Sequence, residues 1–188
     1  MSGREEKISI RKRMRGLRAS MDIASYRKKC MAIAGRCVEL PEFMRARTVH
    51  IYVSSLNNEV DTLGLIYRML DEGKRVVVPV CGDEPRMLRH IRIGSLDDLR
   101  PGTLDIMEPD PARGQEVPVN EIDIIIAPLL AFDRTGGRLG FGGGYYDAFL
   151  DGYSSPKIGL AYSFQEVTEV PREPHDRTLD IIVTEKEI

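Results

Sequence analysis

The chain has no hydrophobic run that approaches the roughly 18–20 residues needed to span a membrane, and it has no repeats or low-complexity tract. Its basic N-terminus is not followed by an apolar stretch with a small-residue cleavage site, so we expect no secretory signal. Only three cysteines occur, Cys30, Cys37 and Cys81, and they are widely spaced. We expect buried thiols in the cytoplasm, with a metal-binding or disulfide-bonded pair as the alternative.

Several common catalytic and phosphate-binding motifs are also missing. No Ser-His-Asp or Cys-His pattern is present, and His50, His90 and His175 are scattered. The Gly-Lys-Ser/Thr ending of a P-loop is absent, and the dinucleotide fingerprint G-x-G-x-x-G fails at its last glycine. The usual phosphate motifs are therefore excluded, and no strong nucleophile stands in a recognisable setting.

The composition of the chain is that of a globular protein with a core: 188 residues, of which 42% are apolar and 30% charged. We expect one domain over residues 1–188. The net charge is −2, but residues 1–18 carry seven basic and two acidic side chains. A basic end on an acidic body suggests a local anionic partner.

The hydrophobic pattern predicts an α/β fold with an open, mostly parallel sheet covered by helices on both faces. The first forty residues read as two helices, the second capped by Ser20 or Asp22 and stopped by Pro41. We read residues Pro101–Pro118, with four prolines, as a surface excursion. Further helices are predicted near Asp61–Asp71 and Tyr145–Leu150, and strands at Thr48–Val53, Arg75–Val80, Met87–Ile93, Ile122–Ala127, Lys157–Tyr162 and Leu179–Thr184.

Two stripes run along the first helix. The apolar stripe is Ile10, Met14, Leu17 and Met21, and the basic stripe beside it is Lys7, Arg11, Arg15 and Arg18. A helix docked by the apolar stripe would hold the charges at the rim of whatever it packs on. A solvated basic face is the alternative. A nucleic-acid surface is disfavoured, because the rest of the chain is acidic and no aromatic residues interleave with the charges.

Six of the 17 glycines lie between Gly136 and Gly144. Glycine lets backbone amides adopt positive φ and approach a ligand closely, and a string of such amides forms a nest for phosphate oxygens. Arg138 adds a fork of donors, and Asp147 adds a hard oxygen suited to Mg²⁺. The alternative is a mobile turn, but six glycines exceed what a turn requires.

The segment from Ala127 to Asp147, with its core Arg138-Leu-Gly-Phe-Gly-Gly-Gly-Tyr-Tyr-Asp147, resembles the signature of the 5-formyltetrahydrofolate cyclo-ligase family. Other landmarks resemble that family in the same order along nearly the whole chain. They are Lys7–Arg11, Glu59-Val-Asp-Thr62, Gly73-Lys74 with Pro79, and Pro174-His-Asp176 with Asp180–Glu185.

The resemblance implies a monomeric enzyme that uses MgATP to convert 5-formyltetrahydrofolate to 5,10-methenyltetrahydrofolate, with ADP and phosphate as the other products. The γ-phosphoryl group would activate the formyl oxygen, and a folate nitrogen would then close the ring. Such a site must position its substrates and neutralise phosphate charge. From the charge distribution and the lack of a long apolar run we expect no nucleic-acid or membrane partner.

The resemblance also assigns residues to the site. Arg138 and Tyr145 would be catalytic, Asp147 and Asp176 would hold Mg²⁺, and Val53, Glu59, Phe141 and Tyr145 would bind the folate. The ATP contacts would be Lys7, Arg11, Arg138, Leu139, Gly140, Phe141, Gly142, Gly143, Gly144, Tyr145 and Tyr146.

Two other functions compete with this one. A sugar-phosphate isomerase or CoA-transferase relative would use a similar sheet without ATP, but no catalytic glutamate stands in the required context. A non-catalytic nucleotide- or folate-binding regulator would keep the glycines and lose Asp147, Asp176 or Arg138. All three are present, which favours the enzyme.

Overall fold

A central seven-stranded sheet organises the computed structural model, which describes residues 3–55, 58–82, 84–102, 106–110, 112 and 114–188. The helices are α1 (Gly3–Ala19), α2 (Ile23–Glu39), α3 (Pro41–Arg45), α4 (Leu63–Asp71) and α5 (Tyr145–Leu150). The strands are β1 (Thr48–Ile51), β2 (Arg75–Cys81), β3 (Leu88–Ile93), β4 (Leu99–Pro101), β5 (Met107–Pro109), β6 (Gln115–Glu116), β7 (Ile124–Ala127), β8 (Ala131–Phe132), β9 (Arg138–Leu139), β10 (Lys157–Leu160) and β11 (Ile181–Val183).

The strand order is β11-β10-β7-β1-β2-β3-β6. The first five strands in that order are parallel, and β3 and β6 add an antiparallel edge. The predicted α/β class with a mostly parallel sheet is confirmed. The strongest predicted strands lie at the centre because apolar, β-branched runs suit a sheet buried on both faces.

Both faces of the sheet are buried. Alternate strand residues point to opposite sides, and each side packs against helices. One face packs Val49, Ile51 and Ile126 against α2, α3 and α4. The other packs Val77 and Ile125 against α5. Helix α1 lies on the small β8–β9 hairpin, where Ile10 and Met14 meet Leu130, Ala131 and Leu139.

Three details of the sequence interpretation change. Asp22, not Ser20, caps α2 by accepting a hydrogen bond from the Ser25 amide. Helix α2 ends at Glu39, as predicted, but Pro41 also begins α3, where the first turn needs no N–H from it. The Pro101–Pro118 excursion contributes β5 and β6 within its described residues, while residues 103–105, 111 and 113 lie outside the described part.

The prediction that an apolar stripe of α1 faces inward is confirmed for Ile10 and Met14 and is wrong for Leu17. Ile10 and Met14 are buried, but Leu17 is 43% exposed and Arg18 only 1%. Buried residues Lys7, Ile10, Met14 and Arg18 define the inward face, which is also helically spaced. Because two neighbouring stripes fit the same period, spacing alone did not decide which one turns inward.

The cysteines of α2 are free thiols rather than a disulfide pair. Cys30 lies 3.3 Å from the hydroxyl of Tyr162, and burial raises the pKa of Cys37 to about 12. The expectation of buried thiols is confirmed for these two residues; Cys81 is only partly buried.

Two buried histidines meet under α5. The rings of His50 and His90 are 5.2 Å apart, and both lie close to Phe149. Burial lowers the pKa of His50 well below its usual value and that of His90 to about 4. Both imidazoles are therefore neutral in the folded protein near neutral pH.

This pair predicts acid sensitivity. Between about pH 6.5 and pH 4 the unfolded chain binds protons at histidine that the folded chain does not, so the free energy of unfolding should fall as the pH falls through this window. Each histidine should add a slope of about 1.4 kcal/mol per pH unit. Urea unfolding across this range measures the slope, and His90→Phe should reduce it. His175→Phe is the control, because the side chain of His175 is 64% exposed; equal slopes in all three proteins contradict the prediction.

Candidate functional site

A cavity of about 1130 Å³ opens at the carboxyl ends of the parallel strands. Val53 lines it just after β1, Cys81 at the end of β2, and Pro128 just after β7. Side chains of α1 and of the C-terminal segment near Asp176 close it. This is where open α/β sheets bind ligands, because loops from several strand ends converge there.

Every residue that the sequence assigned to the site lines this one cavity. They are Lys7, Arg11, Val53, Glu59, Arg138, Leu139, Gly140, Phe141, Gly142, Gly143, Gly144, Tyr145, Tyr146, Asp147 and Asp176. These residues come from four separate parts of the chain. Their individual roles remain predictions.

The glycine run divides into two parts. Gly136 and Gly137 belong to the β8–β9 turn, where the Gly137 amide donates to the Asp133 carboxylate, and they do not line the cavity. Gly140 through Gly144 line it, and Gly142 (φ 108°) and Gly144 (φ 75°) adopt conformations that side chains disfavour. We call residues 140–144 the glycine loop. The candidate phosphate nest is therefore shorter than the full run.

The basic face of α1 docks directly on the site. Arg11 donates from Nε to the carbonyl of Gly140 at 2.9 Å. Lys7 donates from Nζ to Asp176 at 2.6 Å and to Glu173 at 3.1 Å. Burial alone would lower the pKa of Lys7, but these two carboxylates outweigh it and raise the pKa. The helix thus places Lys7, Arg11 and Arg15 of the predicted basic stripe at the cavity, whereas Arg18 is buried and does not line it.

The Arg138 side chain is buried and forms an ion pair with a carboxylate. Its side chain is 2% exposed, and Nη2 donates to Oδ1 of Asp147 at 2.6 Å. Its Cζ lies 5.9 Å from the centroid of the Tyr146 ring, and its Nε is buried without a partner among the described atoms. A buried donor without a partner is costly, so this nitrogen is suited to a ligand or water that enters the cavity.

Each of the two predicted metal ligands forms an ion pair with a cationic side chain. Asp147 is paired with Arg138, and Asp176 with Lys7. Burial would raise the pKa of Asp176, but hydrogen bonds from Lys7 and the Glu173 amide hold it below its usual value. Ligand atoms of Glu173, His175 and Asp176 lie within 4.8 Å of one another. Glu173 was not predicted from the sequence, although it lies only three residues before Asp176.

The end of the cavity that follows β1 is less charged. Val53 is 6% exposed and Tyr52 5%, and the Tyr52 hydroxyl donates to the carbonyl of Val60. Glu59 accepts a hydrogen bond at Oε2 from the Ser55 amide at 3.2 Å. This end combines an apolar wall with one carboxylate, a pattern suited to a flat heteroaromatic ligand with amino groups.

Other residues that line the cavity were not predicted from the sequence. Ile106 and Met107 come from the excursion that was read only as surface. Arg86 adopts a φ of 65° on the β2–β3 connection and lies over Gly144. No local sequence pattern marks these residues, because their place in the cavity depends on antiparallel strand pairing: Met107 lies on β5, which pairs with β4, and Arg86 lies between the paired strands β2 and β3.

Comparison with known proteins supports the resemblance. The family model described as "5-formyltetrahydrofolate cyclo-ligase family" matches residues 3–185. The 5-formyltetrahydrofolate cyclo-ligase of Haemophilus influenzae is 30% identical over 184 residues, covering 95% of this chain and 98% of the relative. The methenyltetrahydrofolate synthetase structure from Aquifex aeolicus superposes with a TM-score of 0.83 at 34% identity, covering 96% of this chain and 90% of that one. The Mycoplasma pneumoniae synthetase gives 0.77 at 26% identity, with 95% and 98% covered.

Proposed function

The chain belongs to the 5-formyltetrahydrofolate cyclo-ligase family, and we propose that the cavity at its strand ends holds ATP at the glycine loop and the folate at the Glu59 end. It is a cyclo-ligase that converts 5-formyltetrahydrofolate to 5,10-methenyltetrahydrofolate, with ATP as co-substrate. The observation that carries the proposal is the convergence of α1, the Glu59 segment, the glycine loop and Asp176 on one cavity.

We propose that the reaction passes through a phosphorylated formyl group. The formyl oxygen attacks the γ-phosphorus and ADP leaves. The neighbouring folate nitrogen then forms a bond to the formyl carbon, the carbon–oxygen bond breaks, and the oxygen departs with phosphate while the nitrogen loses its proton. The protein must align two substrates and neutralise phosphate charge, and no protein nucleophile is needed.

At the ATP end, the proposed donors surround the glycine loop. Arg11 contacts it from α1 at the Gly140 carbonyl, Lys7 lines the same cavity from α1, and Arg138 precedes it on β9. The amides of Gly140, Gly142, Gly143 and Gly144 would cradle the phosphates, with Leu139, Phe141, Tyr145 and Tyr146 beside them. Arg138 would stabilise the transferring phosphoryl group.

The Tyr145 ring requires a glycine beside it. A Cβ built on Gly143 would lie 2.8 Å from Cδ2 of Tyr145. We therefore expect Gly143→Ala to displace the ring and lower kcat/KM about ten- to hundredfold, with little change in melting temperature. Gly35→Ala is the control: a Cβ there meets nothing within 4 Å, so activity should be unchanged and stability about 0.5–1 kcal/mol higher. Wild-type activity in Gly143→Ala contradicts the prediction.

We propose that Mg²⁺ binds at Asp147 and Asp176. The donor set fits, because carboxylate oxygens are the ligands that Mg²⁺ prefers and both residues already pair with cations. Bound there, the ion would neutralise charge on the transferring phosphoryl group. Lys7 and Arg138 would then be free to contact phosphate oxygens.

At the folate end, we propose that Glu59 accepts hydrogen bonds from the amino groups of the pterin. A carboxylate can accept two parallel hydrogen bonds from such a group. Val53 would form the apolar wall of the pocket, and Phe141 and Tyr145 would separate the folate from the phosphates. All four residues line the cavity.

The test is the absorbance of the methenyl product when the protein is mixed with MgATP and 5-formyltetrahydrofolate. We expect product only when ATP and Mg²⁺ are both present, and loss of the signal on adding a chelator. Product formation without ATP contradicts the proposed mechanism. Binding of both ligands without product favours the regulatory alternative.

We also propose that the enzyme acts as a monomer in the cytoplasm. The residues of one chain line the whole cavity as described, so no second copy is needed to complete it. Among the described residues, no helix is long and apolar enough to cross a membrane. Size-exclusion chromatography with light scattering tests the monomer; a dimer at assay concentrations contradicts it.

A further inference from the structure

Arg18 contacts two walls of the cavity from behind. Its side chain is 1% exposed, and unlike the other cations of its stripe it does not line the cavity. Its Nη2 lies 3.9 Å from Oε1 of Glu59, and its Cζ lies 5.8 Å from the centroid of the Phe141 ring. Glu59 and Phe141 both line the cavity. One buried guanidinium therefore lies against the folate end and against the glycine loop.

The Glu59 segment is tied to the end of α1 in two ways. The ion pair joins the side chains, and the Arg18 carbonyl accepts a hydrogen bond from Nδ2 of Asn58 at 2.9 Å. The second carboxylate oxygen of Glu59 accepts from the Ser55 amide. The carboxylate is thus held from both sides, with only 10% of its side chain exposed.

A buried guanidinium is expensive unless it has an anionic partner. Burial lowers the pKa of Arg18, and the Glu59 carboxylate is the largest opposing influence. Arginine stays charged under these conditions, and its planar group can pair with a carboxylate while stacking on an aromatic ring. Lysine could supply the charge at this position but not the planar stacking surface.

We propose that Arg18 is a positioning residue for folate binding: it orients the Glu59 carboxylate through their ion pair, and the Phe141 ring in turn holds the Arg18 guanidinium in place. The inference rests on the proposed role of Glu59 as the folate acceptor. Arg18 touches neither substrate. Its loss should therefore weaken folate binding, while the ATP contacts from Lys7 and Arg11 persist.

The experiment compares Arg18→Met, Arg18→Lys, Glu59→Gln and the double variant Arg18→Met/Glu59→Gln. Calorimetry with 5-formyltetrahydrofolate in the absence of ATP gives the folate Kd, and steady-state kinetics give the KM for ATP. Melting temperatures report folding. Arg13→Met is the matched control, because Arg13 is an exposed cation on the same helix that does not line the cavity.

We expect Arg18→Met to raise the folate Kd at least about tenfold and to leave the KM for ATP within about twofold. Because Arg18 acts through Glu59, the double variant should bind folate no more than about twofold more weakly than Glu59→Gln alone. Arg18→Lys should restore only part of the affinity, and Arg13→Met should match the wild type. If Arg18→Met does not fold, Arg18→Lys carries the same comparison.

Three results overturn the inference. In the first, the increases in folate Kd from the two single substitutions multiply in the double variant. In the second, Glu59→Gln raises the folate Kd and the Arg18 variants do not. In the third, an Arg18 variant raises the folate Kd and the KM for ATP by the same factor. Failure of the proposed function is distinguishable, because wild-type protein would then form no methenyl product whatever the Arg18 variants do.

Discussion

Replacing Arg138 by methionine is expected to lower kcat for methenyl formation by about 10²–10³, the loss typical of removing one donor to developing charge. Arg138 is nearly fully buried at the cavity wall, and its guanidinium is fixed against Asp147. The variant loses the cation proposed to stabilise the phosphoryl group and leaves the Asp147 carboxylate without its main partner. Single-turnover measurements at saturating MgATP isolate the chemical step.

Arg134→Met is the matched control for this prediction. Arg134 lies at the turn of the same β8–β9 hairpin, its side chain is 68% exposed, and it pairs with Glu166 and Glu187 away from the cavity. We expect activity within about twofold of the wild type, since exposed ion pairs contribute little. Arg138→Lys keeps the positive charge but lacks the planar set of N–H donors of a guanidinium, so it should recover only part of the activity. Activity of Arg138→Met within about twofold would disprove the phosphate role.

Replacing Asp133 by alanine should lower the free energy of unfolding by about 3 kcal/mol, because it leaves buried amides without acceptors. The Asp133 carboxylate accepts from the amides of Thr135, Gly137 and Val170, each at 2.9 Å, and from the Thr135 hydroxyl at 2.6 Å. Burial would raise the pKa of Asp133, but these hydrogen bonds hold it below its usual value. Urea unfolding at neutral pH measures the loss.

Asp71→Ala is the control, because Asp71 is an exposed residue in the last turn of α4. Its effect should be within about 0.5 kcal/mol. Asp133 lies in the recognised signature but does not line the cavity, so its role is to hold the hairpin that carries Arg138. A loss of less than about 1 kcal/mol in Asp133→Ala would show that the hairpin does not depend on this carboxylate.

Local patterns predicted the central strands and much of the site. Runs such as Arg75–Val80 are strands because their β-branched residues suit a buried sheet, and they occupy its centre. Helical spacing put Lys7 and Arg11 on one face of a helix because residues one turn apart share a face, the resemblance assigned them to the site, and both line the cavity. The glycines predicted a loop near a ligand because few other residues permit the conformations of Gly142 and Gly144.

The interpretation was wrong where two local patterns were equally regular. On α1, Leu17 and Arg18 both continue a helical stripe, and only packing on the glycine loop and the Glu59 segment turned Arg18 inward. The contribution of Met107 was missed for another reason. Its segment joins the site through strand pairing with β4, far from any motif.

The sequence by itself determined the chemical groups available for the reaction, the strands that form the buried sheet and the family to which the chain belongs. Periodicity and turn chemistry act over a few residues, so they can be read directly from the chain. The tertiary structure decided which charges meet. Lys7 pairs with Asp176 and Arg18 with Glu59. The two residues of each pair are far apart in the sequence, and the packing of α1 on the cavity brings them together. These ion pairs affect stability because they are buried: a charge that is removed from water destabilises the fold unless an opposite charge lies beside it.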